Sequence, residues 1–168
     1  MKQLPVRRVA LWSLFAFVAA LQVSIVAAQA LLAVVILCWL AMIASGGARF
    51  SAPPFFRPLL VYAALTLVAT VFSVDPRASL ADDKQLLLFL IVPAVYEIAR
   101  GARARTVVHV VITVGAATAV YGIVQYGILH YDNLGQRPQG SMGHYMTYSG
   151  LLMLAATAAA ARLLFETR

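Results

Sequence analysis

From Val9 to Ala44 the chain runs for about 36 residues without one charged side chain. As a single helix that run would measure about 54 Å, against a hydrocarbon core of roughly 30 Å, so it must either tilt far from the membrane normal or turn back. Gln22, Ser24 and Gln29 lie near its middle and offer a place to turn, dividing it into short spans at 9–25 and 26–44. Further apolar runs occupy 59–73, 86–99, 107–129 and 145–165. The expected architecture is an all-α, polytopic transmembrane bundle of six spans with a short opening hairpin. Composition agrees, since 62% of the residues are apolar and 11% charged, against roughly 45–50% and about 25% in a soluble domain.

The positive charges choose between turning and tilting. With the hairpin and a cytoplasmic amino terminus, Lys2, Arg7, Arg8, Arg49, Arg57, Arg100, Arg103, Arg105, Arg162 and Arg168 fall inside, and Arg77, Lys84 and Arg137 outside, a split of ten to three. A single long first span would exchange the later loops and give six against seven, carrying Arg100, Arg103 and Arg105 across. The positive-inside rule therefore selects the hairpin. Lys2, Arg7 and Arg8 ahead of an apolar stretch, with Ala28-Gln29-Ala30 beyond, also have the form of a secretory signal. Leu31 to Trp39 is as apolar as what precedes it, so an uncleaved hairpin is expected.

The net charge of +7 does not point to nucleic acid, because no basic helix face, finger spacing or basic-aromatic strand accompanies it. The Arg100, Arg103, Arg105 group reads as a topology signal beside anionic lipid. Cys38 is the one cysteine, so no internal disulfide or multi-cysteine metal site exists. No nucleotide fingerprint, zinc-binding histidine pair or nucleophile elbow occurs, and neither a metal nor a cofactor is expected.

Three segments carry polar chemistry. Phe72 to Lys84 is an outer connector in which Asp75-Pro76 and Ser79 signal a short helix; Arg77 and Lys84 are either solvated or near a lipid phosphate. Leu86 to Ala99 is short for a span and contains Pro93, which deletes a backbone donor, while Glu97 at its end either anchors at the interface, by snorkelling or pairing with Arg100, or belongs to a proton or ion pathway. Gln125 to Gly150 is the third and the most unusual. Gly135, Pro138, Gly140 and Gly143 permit tight bends whose amides suit an anion. Arg137 adds a planar donor fork suited to phosphate oxygens, the alternative being a headgroup anchor or a loop salt bridge. His144 stands at the mouth of the last run, as a helix-start residue or as a catalytic group. His130 and Asp132 are placed to pair, and Tyr126, Tyr131, Tyr145 and Tyr148 fit an interfacial belt as well as a sugar-stacking surface.

In two places the chain resembles the O-antigen ligase and polymerase superfamily of membrane glycosyltransferases. Ser73-Val74-Asp75-Pro76-Arg77-Ala78-Ser79-Leu80 is similar to that family's short segment after its third span. Arg137-Pro138-Gln139-Gly140-Ser141-Met142-Gly143-His144-Tyr145, leading into Met146 to Leu152, is similar to its arginine and glycine turn before a small-residue helix. His144-Tyr145-Met146 stands where the family's turn has Asn-Pro-Asn character. The resemblance implies a bacterial inner-membrane enzyme with a cytoplasmic amino terminus. It would transfer or polymerise a polyprenyl-diphosphate-linked glycan onto a glycan, lipid A-core or protein acceptor at the outer face. Arg137 would bind substrate, with Arg77, Lys84, Gly140 and Gly143 assisting and His144 a candidate at the acceptor. Family members carry further spans and a large later outer loop, so residues 1–168 are expected to form the amino-terminal region of a larger enzyme. Part of a secondary transporter, or a noncatalytic membrane scaffold, are the readings from other classes.

Overall fold

The computed structural model describes residues 3–131 and 135–165. Lys2 and Arg168 of the charge split, and Asp132 of the proposed pair with His130, lie outside those residues. The chain is wholly helical where it is regular: α1 (Gln3–Ala20), α2 (Ile25–Ala44), α3 (Phe56–Val71), α4 (Pro76–Asp82), a 3-10 segment (Asp83–Leu90), α5 (Ile91–Ile98), α6 (Ala102–Gly127) and α7 (Tyr145–Phe165).

The long uncharged run does break, at Leu21–Ser24. Ser24 takes extended backbone angles and its hydroxyl accepts from Ala27 N–H at 3.4 Å, starting α2 as an N-cap does. Gln29 lies within α2 and takes no part in the turn. Ala10, Leu14, Phe17 and Val18 recur at helical spacing and bury one face of α1 against Ala28, Val35, Trp39 and Met42 of α2. Ala94 and Ile98 of α5 close the same core.

α6 and α7 run antiparallel. Tyr148 meets Thr118, Ala155 meets Gly115 and Arg162 meets His109, so one helix descends as the other rises. A Cβ on Gly115 would stand 2.5 Å from that of Ala155, so the missing side chain lets the two backbones approach. α6 also packs on α1, whereas α3 packs on α4 and the 3-10 segment.

The exterior is inverted relative to a soluble protein. Leu60, Val61, Leu65 and Val68 of α3, and Val120 and Ile123 of α6, face outward with more than half their surface exposed. Together with helices long enough to cross, this makes the chain a polytopic membrane protein.

Six spans, however, is not the number of helices able to cross. Among the described residues three are long and apolar enough, α2, α6 and α7, and α3 is a shorter apolar helix of 16 residues. Hydropathy of a run says nothing of how the backbone divides it. The expected 9–25 span loses its last residues to the turn, and its helix begins in the polar stretch from Gln3 to Arg8. The expected 86–99 span is shared between a 3-10 segment and an eight-residue helix. Pro93 falls in the first turn of α5 and withholds one N–H where the tighter winding before it passes into the α form.

Helix ends of one kind of charge gather at one end of the bundle. The α1–α2 hairpin returns Arg49 to the side of Arg7 and Arg8; Arg49 shares a cavity with Arg100, and Arg105 shares a groove with Arg162. Trp39, Phe50 and Phe56 form an aromatic chain there, with centroid spacings of 5.9 and 6.4 Å, which brings in the start of α3. The 135–145 loop lies at the opposite end, between α6 and α7.

Candidate functional site

The loop from Gly135 to His144 is positioned by a side chain of α6. Gln125, 4% exposed, donates from Nε2 to Gly140 O at 3.1 Å, and its Oε1 accepts from Gln139 N at 3.1 Å and Gly140 N at 2.9 Å. One amide group thus replaces the partners that a helix or sheet would give three backbone groups. Tyr131 N–H donates to Gln125 O at 3.0 Å, so the entry to the loop hangs on the same residue.

Gly140 has φ +59, the left-handed region, and a Cβ there would lie 2.5 Å from Cδ2 of Tyr148. The Tyr148 ring fills the space beneath the loop, packing also on Gly122, and its hydroxyl donates to Thr118 O at 2.6 Å. Ser141 Oγ donates to Val23 O at 2.9 Å, tying the loop to the turn between α1 and α2. Residues more than a hundred positions apart therefore hold one bend.

Above this base Arg137 sits with its guanidinium carbon 5.2 Å from the centre of the Tyr145 ring. His144 stacks on the same tyrosine, with centroids 5.5 Å apart and planes 11° from parallel. Tyr131, Gly135, Gln136, Arg137, Gln139 and Tyr145 line a cavity of about 200 Å³. A cation held against a ring by its π face keeps its N–H donors for another partner. The arrangement suits an anion with several oxygens, such as a phosphate.

The candidate residues do not all converge here. Arg137 lines the cavity and His144 adjoins it through Tyr145. Gly140 follows the lining residue Gln139 and makes the bend over Tyr148, and Gly143, φ +72, makes a second left-handed bend with open space around it. Arg77 lies in the first turn of α4, its N–H held by Asp75 Oδ1 at 3.1 Å, and is exposed. Lys84 is exposed on the 3-10 segment, and neither residue lines the Arg137 cavity. Their connector is closed by its own bonds, Thr70 Oγ1 to Asp83 Oδ2 at 2.6 Å and Ser79 Oγ to Ser73 Oγ at 2.9 Å.

Glu97 and Arg100 form the ion pair expected of them, at 2.8 Å. No group of three metal-ligating side chains occurs among the described residues. In the sequence Gln125 reads only as the start of a polar segment and Tyr148 only as a belt or sugar-stacking tyrosine, not as the residues that hold the loop. The signal for Gln125 was a lone amide in an apolar helix ahead of a glycine-rich bend; nothing local distinguished Tyr148 from the other tyrosines near the membrane surface. No family model matches this chain, and no curated protein sequence or solved structure matches it either.

Proposed function

We propose that this chain forms part of a membrane glycosyltransferase of the O-antigen ligase and polymerase kind, and that its 135–145 loop binds the diphosphate of a polyprenyl-linked glycan. The observation that carries this reading is Arg137, set over Tyr145 in a cavity whose lining residue Gln139 is held by Gln125. The end bearing Arg49, Arg100, Arg103, Arg105 and Arg162 is then cytoplasmic by the positive-inside rule, and the Arg137 loop faces outward from a bacterial inner membrane. An acceptor hydroxyl on a glycan, lipid A-core or protein attacks the sugar carbon joined to the diphosphate and forms the new glycosidic bond, its proton passing to water; the carbon–oxygen bond to the diphosphate breaks, and polyprenyl diphosphate leaves with that electron pair. Arg137 accelerates the step by holding the leaving group more tightly as its charge grows.

A second reading, part of a secondary transporter, draws on Gln22. It is buried beside Gly115 in the middle of α6, its Oε1 without a partner, and transporters place polar groups at such depth.

Transfer of a polyprenyl-linked glycan by the whole protein, at equal membrane levels, separates the two. Arg137→Ala is expected to lower it about ten- to hundredfold, the value of one charged hydrogen bond made to the leaving group, and Arg137→Lys to restore part. Arg77→Ala is expected to have a smaller effect. Full transfer by Arg137→Ala would refute the role of the loop, and solute uptake lost on Gln22→Leu with no transfer at all would favour the transporter. Orientation is read from introduced cysteines at Arg103 and Arg137, with Cys38 replaced: an impermeant thiol reagent applied to intact cells should label only position 137.

A further inference from the structure

We infer that the basic end carries a second site, separate from the Arg137 cavity and independent of the glycosyltransferase reading: a pocket for the phosphodiester headgroup of an anionic glycerophospholipid. It is built from two elements distant in sequence. α2 ends at Ser45, whose hydroxyl donates to Ala41 O at 2.7 Å. Gly46, φ +71, then reverses the chain while Gly47 N and Ala48 N both return to Met42 O, at 2.9 and 3.1 Å. The reversal sets Arg49, Phe50 and Ser51 beside the end of α5. With Gly46 to Ala48, Glu97 and Arg100 they line an open cavity of about 480 Å³.

The charges of that cavity are unequal. Arg100 is fixed from two sides, by Glu97 Oε2 at 2.8 Å and by the Tyr96 ring 5.4 Å from its guanidinium carbon. Glu97 is the one carboxylate lining the cavity and Arg49 a second guanidinium, so one positive charge is left over. Its volume is in the range of small-molecule sites and exceeds what a lone ion fills. A monoanionic phosphodiester with a small polar headgroup matches the charge, the size and the Ser51 hydroxyl.

What favours lipid over a soluble phosphate is the wall around the pocket. Phe50 is 59% exposed at the rim and braced on Trp39 and Phe56. Leu37 and Leu40, in the α2 helix that carries Trp39, and Leu60, in the α3 helix that begins at Phe56, are exposed apolar residues. A headgroup seated between Arg49 and Arg100 has its acyl chains where the protein already faces hydrocarbon. Basic pockets between membrane helices hold headgroups in this manner.

The test uses the purified full chain in detergent, titrated with phosphatidylglycerol or phosphatidylcholine and followed by native mass spectrometry and thermal unfolding. The expected result is retention of phosphatidylglycerol about tenfold above phosphatidylcholine, the order of one charge-assisted contact. Arg49→Ala and Arg100→Gln should each bring that ratio close to one, and Arg8→Ala, a basic residue outside the cavity, should leave it unchanged. Arg49→Ala keeps the Glu97–Arg100 pair, so it tests the site even if Arg100→Gln fails to fold. The inference is overturned if the folded Arg49 variant retains the preference, if Arg8→Ala lowers it equally, or if inorganic phosphate stabilises the chain as well as the lipid does.

Discussion

Two buried glutamines fasten turns to the same helix, and they do it differently. Gln125 lies on α6 and reaches out to the 135–145 loop, where it satisfies one carbonyl and two N–H groups that have no helical partner. Gln22 lies in the α1–α2 turn and reaches in, donating from Nε2 to Val111 O at 3.0 Å. Val111 is inside α6, so its carbonyl already accepts along the helix. Gln22 Oε1 meanwhile finds no partner. The first contact supplies what the backbone lacks; the second adds to a group already supplied and leaves an acceptor buried. Burial alone does not rank them, since both are about 95% covered.

The sharpest way to break this contrast is Gly140→Ala. It forces a side chain into a left-handed position, costing about 1–2 kcal/mol, and drives its Cβ into the Tyr148 ring, where overpacking costs about as much again. We expect a loss of about 3 kcal/mol, read from thermal unfolding in detergent micelles by the fluorescence of Trp12 and Trp39. Little change would mean that the loop is not seated on Tyr148. Next is Gln125→Ala, which strands three backbone groups, one of them only partly buried and open to water; about 2 kcal/mol is expected. In the same variant an environment-sensitive label on the loop should report faster motion, and an unaltered signal would remove the clamp from the account. Tyr148→Phe keeps the ring and gives up only the bond to Thr118 O, for about 1 kcal/mol. Gln22→Leu is expected to change stability least, by under about 1 kcal/mol, because it loses a redundant bond and removes an orphaned acceptor at similar volume. A larger loss from Gln22→Leu than from Gln125→Ala would reverse the ranking.

Much of the fold was legible because membrane solvation is a blunt constraint. The apolar excess excludes an aqueous surface, the uncharged run is too long for one crossing, and Asp75-Pro76 starts α4 with a side-chain cap and a first-turn proline. The number of crossing helices was not legible, because a hydropathy window cannot see that Leu86 to Leu90 winds as a 3-10 segment or that α1 begins among charges. At the candidate site the bends were readable from Gly140 and Gly143, whose backbone requirement is local. What holds them was not. Gln125 is 15 residues from Gly140 and Val23 is 118 from Ser141, and such pairings depend on how α6, α7 and the first hairpin stack.

The 3-10 segment has a mechanical consequence. Its eight residues rise about 2.0 Å each, where an α-helix rises 1.5 Å, and turn 120° per residue instead of 100°. Rewinding Asp83 to Leu90 to the α form would draw its ends together by about 4 Å and rotate one against the other by roughly 160°. Asp83 is fastened to Thr70 at one end, and Leu90 runs directly into α5 at the other. Any such rewinding would act between the surface connector and the arginine-rich end as a screw does: its axial travel would be small, with each ångström coupled to about forty degrees of rotation.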